Sequence, residues 1–319
     1  MIRLAVDVQS GDFGPDVMVR GILIARQTSS IPFVTYLCGD QTQINRVLDD
    51  LEKELSFDRS EFIIEHCSDV IGEDEWRSMI WKNRKGSSIV RCVSLQKEGR
   101  ADASISAGDT GILIGTALFT LGRGEGVNRP VLAAFIPTAT QSNPVLVLDV
   151  GANLNCRAEH LASFAEIGNS YVSRLFAKSA RVALLNIGLE QSKGPKVVRD
   201  AAALIEKESW YSGFIEGNKV FSGDADVVVC DGFLGNVLLK TCESFYSLAS
   251  DFLAGNKDVL ELLTQKMDVL NPENYGAVPF LGIKGTVLKA HGSSSVRSIR
   301  NAVLTALSAV KNNVTECWR

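Results

Sequence analysis

The sequence predicts an α/β fold: a doubly wound, mostly parallel sheet with helices on both faces, plus a protruding helical hairpin. Three observations carry that prediction. Short β-branched runs alternate with amphipathic stretches along most of the chain, which is the pattern of repeated strand–helix units. The length of 319 residues and the 45% hydrophobic content suffice for one large or two smaller cores. Strand after strand ends in glycine plus a small polar residue and feeds a helix, as the corners of an open parallel sheet do. We expect one domain over 1–319, with the hairpin inserted at 237–272.

In chain order, strands are expected at 2–8, 33–39, 61–67, 101–107, 131–137, 144–151, 181–188, 225–232 and 286–292. Helical patterns fall at 15–27, 40–54, 86–98, 110–121, 158–177, 194–208, 233–254, 258–269 and 294–311. The least regular stretch, 68–86, reads as a loop that closes over something. No tandem repeat or low-complexity linker interrupts the order.

Several function classes are excluded. The net charge is −4 and no basic stripe runs along any element, so no nucleic-acid partner is expected. Seven cysteines make an odd number with no C-x-x-C pair. Most sit in apolar runs such as FVTYLCG and ADVVVCDG, which reads as buried thiols in a reducing cytoplasm. The opening MIRLAVDV enters the fold as a strand, without the apolar core of a signal peptide. No run of about 18 apolar residues occurs, so a membrane span is not expected, while peripheral attachment stays open. An ATP-type phosphate loop, a dinucleotide G-x-G-x-x-G after the first strand and a G-x-S-x-G elbow are all missing. The histidines, 66, 160 and 291, lack ligand spacing, so neither a metal nor a cofactor is expected.

The strand-end corners are the informative feature. They read Asp7…Gly11-Asp12, Ser106…Gly108-Asp109-Thr110-Gly111, and Asp149…Gly151…Asn153. Further on come Asn186…Gly188, Asp231-Gly232…Gly235-Asn236, and His291…Ser293-Ser294. Glycine lets backbone approach a ligand closely. The small polar residues cap the following helices, whose first N–H groups attract anions. One such corner is ordinary capping; six on one sheet edge point to an anionic, phosphate-bearing ligand. His291 ends a strand and opens a helix. Lys193 and Lys85, the latter before Gly86 and Ser87, each stand beside a helix start.

Read together, the motifs VDVQSGD, KGSSI, ADASISAGDTG, LGRGEGVNRP, LDVGANLNCRAEHL, VALLNIG, SGDADVVVCDGFLGN, YGAVPFLGIKG and HGSS resemble those of the PlsX-type phosphate acyltransferases. The match runs from Asp7 to about Asn301. The resemblance implies a fold like that of isocitrate and isopropylmalate dehydrogenases. It implies transfer of a long-chain acyl group from acyl–acyl carrier protein to inorganic phosphate, giving acyl phosphate for phospholipid synthesis. It also implies a homodimer that associates peripherally with the inner face of the membrane, near a membrane-bound glycerol-phosphate acyltransferase. Under it, Lys193 and the Ser106–Gly111 corner hold phosphate, and Asn236 donates to the oxyanion. His291, Ser293 and Ser294 donate to phosphate or to the departing thiolate. Asp7, Asp12 and Asp231 orient loops and lysines. Arg84, Lys85, Arg123 and Arg129 are candidates for a basic patch facing the acidic carrier.

The chain departs from that pattern at several points. The usual Asp-Ala-Met-Gly-Gly-Asp-His-Ala-Pro becomes Asp7 to Pro15 with Phe13 in the histidine's place. The usual Asn before Thr110 is Asp109, a carboxylate that repels phosphate unless it faces away as a cap. The acidic pair after Asn-Ile-Gly is reduced to Leu189-Glu190, and Tyr-Gly-Gly becomes Tyr275-Gly276-Ala277. The hairpin is shorter, and its apolar stripe suits a dimer interface or a lipid-touching tip. Two alternatives stay open: a short-chain acyl-coenzyme A phosphate acyltransferase on the same fold, and a catalytically degenerate dimeric module that binds acyl carrier protein or membrane partners. A metal-dependent dehydrogenase is a weaker third.

Overall fold

The computed structural model describes residues 1–71, 80–140, 144–253 and 271–318. The helix expected at 258–269, and 72–79 of the irregular stretch, lie outside those residues. The chain opens with β1 (Ile2–Asp7), α1 (Gly14–Thr28), β2 (Phe33–Gly39), α2 (Gln41–Glu54), β3 (Phe62–His66), the one-turn α3 (Ile80–Asn83) and α4 (Ser88–Lys97). It continues with β4 (Ala103–Ser106), α5 (Thr110–Thr120), β5 (Val131–Ile136), β6 (Val145–Leu148), α6 (Ala158–Phe176), β7 (Val182–Asn186) and α7 (Lys196–Ile205). Then come β8 (Tyr211–Glu216), β9 (Val227–Val229), α8 (Gly232–Leu253), β10 (Ala277–Leu281), β11 (Thr286–Ala290) and α9 (Val296–Lys311).

These elements form two compact units. The first comprises Met1–Gly124 and Tyr275–Thr315, the second Glu125–Asn274 and Glu316–Trp318. In the first, the strand order is β3-β2-β1-β4-β11-β10, parallel except for the β10–β11 pair. In the second it is β5-β6-β9-β7-β8, parallel except for β5–β6.

Helices cover both faces of the first unit's sheet, as the alternation of side chains along β1 shows. Leu4 and Val6 join a core with Met18 and Ile22 of α1, Leu48 of α2 and Ile299 and Val303 of α9. Ala5 points the other way and packs with Cys38, Cys92 and Leu95 beneath α4. Both sets are wholly buried. In the second unit α6 lies on β6 and β9 so closely that a Cβ at Gly168 would stand 2.6 Å from Leu148 and from Val227.

Helix starts follow capping chemistry. Asp40 accepts the N–H of Gln43 at 2.8 Å to start α2, and Ser295 accepts that of Ser298 at 3.2 Å to start α9. Exposed Phe13 precedes α1 without a side-chain cap, and a proline sits in the first turn.

Two strands escape sequence reading. In β8, Gly213 holds a positive φ of 94° and the register against β7 shifts, so the periodic signal is broken. β10 carries Pro279 paired with Leu288, and an internal proline argues against a strand.

At the amino ends of the sheets both units use the same clamp. Arg3 donates to Asp102 through its backbone N–H (2.8 Å), Nε (3.2 Å) and Nη2 (2.6 Å), tying β1 to β4. Arg181 likewise donates to Asp226 through N (2.9 Å), Nε (3.0 Å) and Nη2 (3.1 Å), tying β7 to β9.

Candidate active site

The sequence-predicted residues gather at the carboxyl ends of the strands, three corners in each unit. In the first unit they follow β1, β4 and β11. Asp7 is wholly buried and acts as the organiser. Its Oδ1 accepts the N–H of Gln9 (3.3 Å) and of Ser10 (3.2 Å), curling the loop that follows β1. Its Oδ2 accepts the Ser106 hydroxyl at 2.7 Å, and Ser106 Oγ in turn accepts the Gly108 N–H at 3.0 Å. The loop after β1 also meets the loop after β11, because the Asp12 N–H donates to the Gly292 carbonyl at 2.9 Å. Asp7, Gly11, Asp12, Ser106, Gly108 and Gly292 thus form one connected corner.

Asp109 caps α5: its Oδ1 accepts the Ile112 N–H at 2.9 Å. The carboxylate therefore spends one oxygen on the helix start beside Thr110 and Gly111. His291 Nδ1 accepts the Ser293 N–H at 3.3 Å and lies 2.8 Å from Ser293 Oγ. An accepting Nδ1 places the proton of a neutral ring on Nε2.

Buried hydroxyls without a partner among the described residues mark where a ligand's oxygens can be met. Ser294 Oγ is one such group, and Ser87 Oγ and Ser88 Oγ at the start of α4 are two more. α4 approaches the corner through Ile89, whose Cδ1 would stand 3.0 Å from a Cβ on Gly108. Lys85 stands exposed two residues before Ser87. Arg84, expected as a docking cation, pairs with Asp69 through Nε and Nη2.

In the second unit the corners follow β6, β9 and β7. Asp149 is the counterpart of Asp7 and is equally buried. Its Oδ1 accepts N–H groups of Leu132 (3.0 Å), Gly151 (3.2 Å) and Ala152 (3.0 Å). Its Oδ2 accepts the Asn153 N–H (2.6 Å) and Nδ2 (2.9 Å). Burial pushes its carboxyl above the usual carboxylate range, and the converging donors oppose that rise. The sequence reading noted Asp149 in its corner without assigning it to the site; the signal was its place at a strand end.

Asn153 passes the order on. Its carbonyl accepts the Gly232 N–H at 2.9 Å, seating the start of α8, which Asp231 caps through the Leu234 N–H at 2.9 Å. Gly235 is obligatory here: a Cβ would fall 1.9 Å from the Asp149 carbonyl oxygen. One residue on, Asn236 is exposed and its side-chain amide makes no hydrogen bond among the described residues. A Cβ at Gly151 would stand 3.7 Å from its Oδ1, so the bare loop leaves the amide uncovered.

β7 supplies the third corner. Asn186 Nδ2 donates to the Lys193 carbonyl at 3.1 Å, while its buried Oδ1 has no partner among the described residues. Gly194, with φ of 86°, leaves no room for a side chain, since a Cβ would lie 1.7 Å from that Oδ1. Arg199, which the sequence reading did not single out, donates to the Gly194 carbonyl at 2.6 Å and fixes the loop. The Lys193 side chain packs through its Cδ against Gly188, and its ammonium pairs with Glu190 at 2.8 Å. The hydrogen bond to Glu190 raises its pKa, so it is charged at neutral pH. Glu190, the acid kept from the usual pair, is thus the partner of Lys193.

All seven cysteines are free thiols. Burial raises Cys156 to about 11 and Cys67 to about 12, which suits packing rather than nucleophilic work. Among the described residues no group of three or more His, Cys, Asp or Glu could hold a metal ion, and no helix is long and apolar enough to cross a membrane.

Comparison with known proteins fits this arrangement. A family model described as fatty acid synthesis protein matches residues 2–317. The phosphate acyltransferase of Dictyoglomus turgidum is 35% identical over 332 residues, covering 99% of this chain and 96% of that protein. The phosphate acyltransferase of Desulforamulus reducens is 36% identical over 328 residues, covering 98% and 95%. A crystal structure of a phosphotransacetylase from Streptococcus pyogenes shares the fold, with a TM-score of 0.64, 16% identity, and coverage of 97% of this chain and 94% of that one. Matched from end to end at these levels, the chain belongs to the PlsX-type phosphate acyltransferase family.

Proposed function

We propose that this acyltransferase moves a long-chain acyl group from acyl–acyl carrier protein to inorganic phosphate, giving acyl phosphate for phospholipid synthesis. A phosphate oxygen attacks the thioester carbonyl carbon, the C–S bond breaks, and the carrier leaves as a thiolate that takes a proton. Inorganic phosphate is partly dianionic at neutral pH, so it already carries a nucleophilic oxygen. It needs holding and aiming more than deprotonation, and positioning alone is worth roughly 7–11 kcal/mol. Donors at the Ser106–Gly111 corner, His291, Ser293 and Ser294 suit an anion. Lys193 supplies positive charge by leaving Glu190 for the substrate. Asn236 donates to the carbonyl oxygen as it gains charge, a contribution of roughly 3–4 kcal/mol for one such donor.

The observation that carries this reading is the uncovered Asn236 amide, with no hydrogen bond among the described residues, on the first turns of α8 beside the glycine-bared Asp149–Asn153 loop. The purified protein, given phosphate and either palmitoyl–acyl carrier protein or acetyl-coenzyme A, tests the donor. The carrier thioester is expected to be used in preference. Preference for acetyl-coenzyme A would establish the short-chain alternative, and a folded protein inert with both would favour the binding-module reading.

We also propose a homodimer, with peripheral membrane association in a cytoplasmic setting. The support is α8, which exposes Phe233, Val237, Phe245, Leu248 and Phe252, too large an apolar face for free solvent.

A further inference from the structure

Lys289 belongs to none of the anion-binding corners and sits inside a strand. Its neighbours Leu288 and Ala290 are wholly buried in the core of the first unit. A lysine in such a strand is retained only where its charge is satisfied. β11 runs parallel to β4 with Lys289 opposite Ser106, and β4 runs parallel to β1 with Ser106 opposite Asp7. Residues level on adjacent strands share a face, so Asp7, Ser106 and Lys289 form one row at the carboxyl ends of three strands.

The row grips the Ala107–Gly108 peptide group from both ends. The Lys289 ammonium donates to the Ala107 carbonyl at 3.3 Å and also to the Ala290 carbonyl. Ser106 Oγ, held by Asp7, accepts the Gly108 N–H at 3.0 Å. The Ala107–Gly108 peptide is therefore fixed at its oxygen by a cation and at its nitrogen by a hydroxyl. Asp109, next in the chain, starts α5. The direction of the first N–H groups of α5 follows from that grip.

The geometry points to Lys289 as a positioning residue of a phosphate subsite: it clamps the Ala107–Gly108 peptide and aims the start of α5. This rests on the reading of the Ser106–Gly111 corner as a phosphate site. Preorganised donors lose their value when their support loosens.

Binding of inorganic phosphate to the full chain, measured by calorimetry, tests it on wild type, Lys289→Met, Lys289→Gln and Lys289→Arg. Loss of a charge-assisted bond is worth about 10–100-fold in affinity, and a loss of that size is expected for the Met and Gln variants, with Arg restoring most of it. The KM for the acyl donor should stay within about twofold, since that partner does not lie on the clamped peptide. Wild-type phosphate affinity in the Met and Gln variants would overturn the clamp, and so would failure of both to fold, which would make Lys289 a residue of the fold. A wild type that binds no phosphate would instead overturn the proposed reaction itself.

Discussion

Asp109 separates two roles of one carboxylate. As the cap of α5 it stabilises the helix, and as a charge beside an anion corner it opposes phosphate. Asparagine caps as well as aspartate. Asp109→Asn should therefore leave stability within about 0.5 kcal/mol while lowering the KM for phosphate, and Asp109→Ala should cost about 1 kcal/mol. Thermal unfolding together with phosphate titration checks both, and an Asn variant with unchanged or weaker phosphate use would contradict the electrostatic part. Single residues were legible in the sequence where a strand gives way to a helix: Asp7 ends β1, Asp109 and Asp231 directly precede α5 and α8, and Asn236 lies in the first turns of α8. Partners were not legible. That Lys193 pairs with Glu190, that Arg84 is committed to Asp69, and that Arg199 pins Gly194 depend on rotamers and loop paths that no spacing encodes.

At the scale of elements, helices and buried strands with strong apolar periodicity were readable to within a few residues. β8 and β10 were not, since Gly213 and Pro279 erase the local signal that tertiary pairing then overrides. The clamps at the amino ends of the sheets were also invisible, because Arg181 and Asp226 lie 45 positions apart in the chain. Asp226 nevertheless sets a measurable pH limit. Arg181 and Lys178 hold its carboxyl at about 2, below the usual 3.8. A depressed carboxylate contributes stability above its unfolded pKa and loses it as pH falls through the folded one. Asp226→Asn should destabilise the protein by roughly 2–4 kcal/mol at pH 7. The difference from wild type should shrink as pH falls from about 4 towards 2. Denaturant midpoints at both pH values check this, and a difference that stays constant would show that the ion pairs are not what the residue contributes.

For the whole molecule, the size of the chain and its alternation of strands and helices sufficed to anticipate the architecture, while the division into two compact units leaves no mark in composition or linker. The exposed apolar face of α8 gives a prediction at this scale. Sedimentation should show a dimer, and Phe245→Glu should shift it towards monomer by burying a charge at the contact, a change worth several kcal/mol; a wild type that sediments as a monomer would remove the interface. The most direct test of the proposed reaction is acyl-phosphate formation from palmitoyl–acyl carrier protein and inorganic phosphate, trapped as hydroxamate, by wild type and Lys193→Ala in parallel. Because Lys193 is half-exposed, the variant should fold normally and lose about 100-fold or more in turnover. Near-normal turnover in the variant would contradict the role of Lys193, and no product from folded wild type would contradict the reaction.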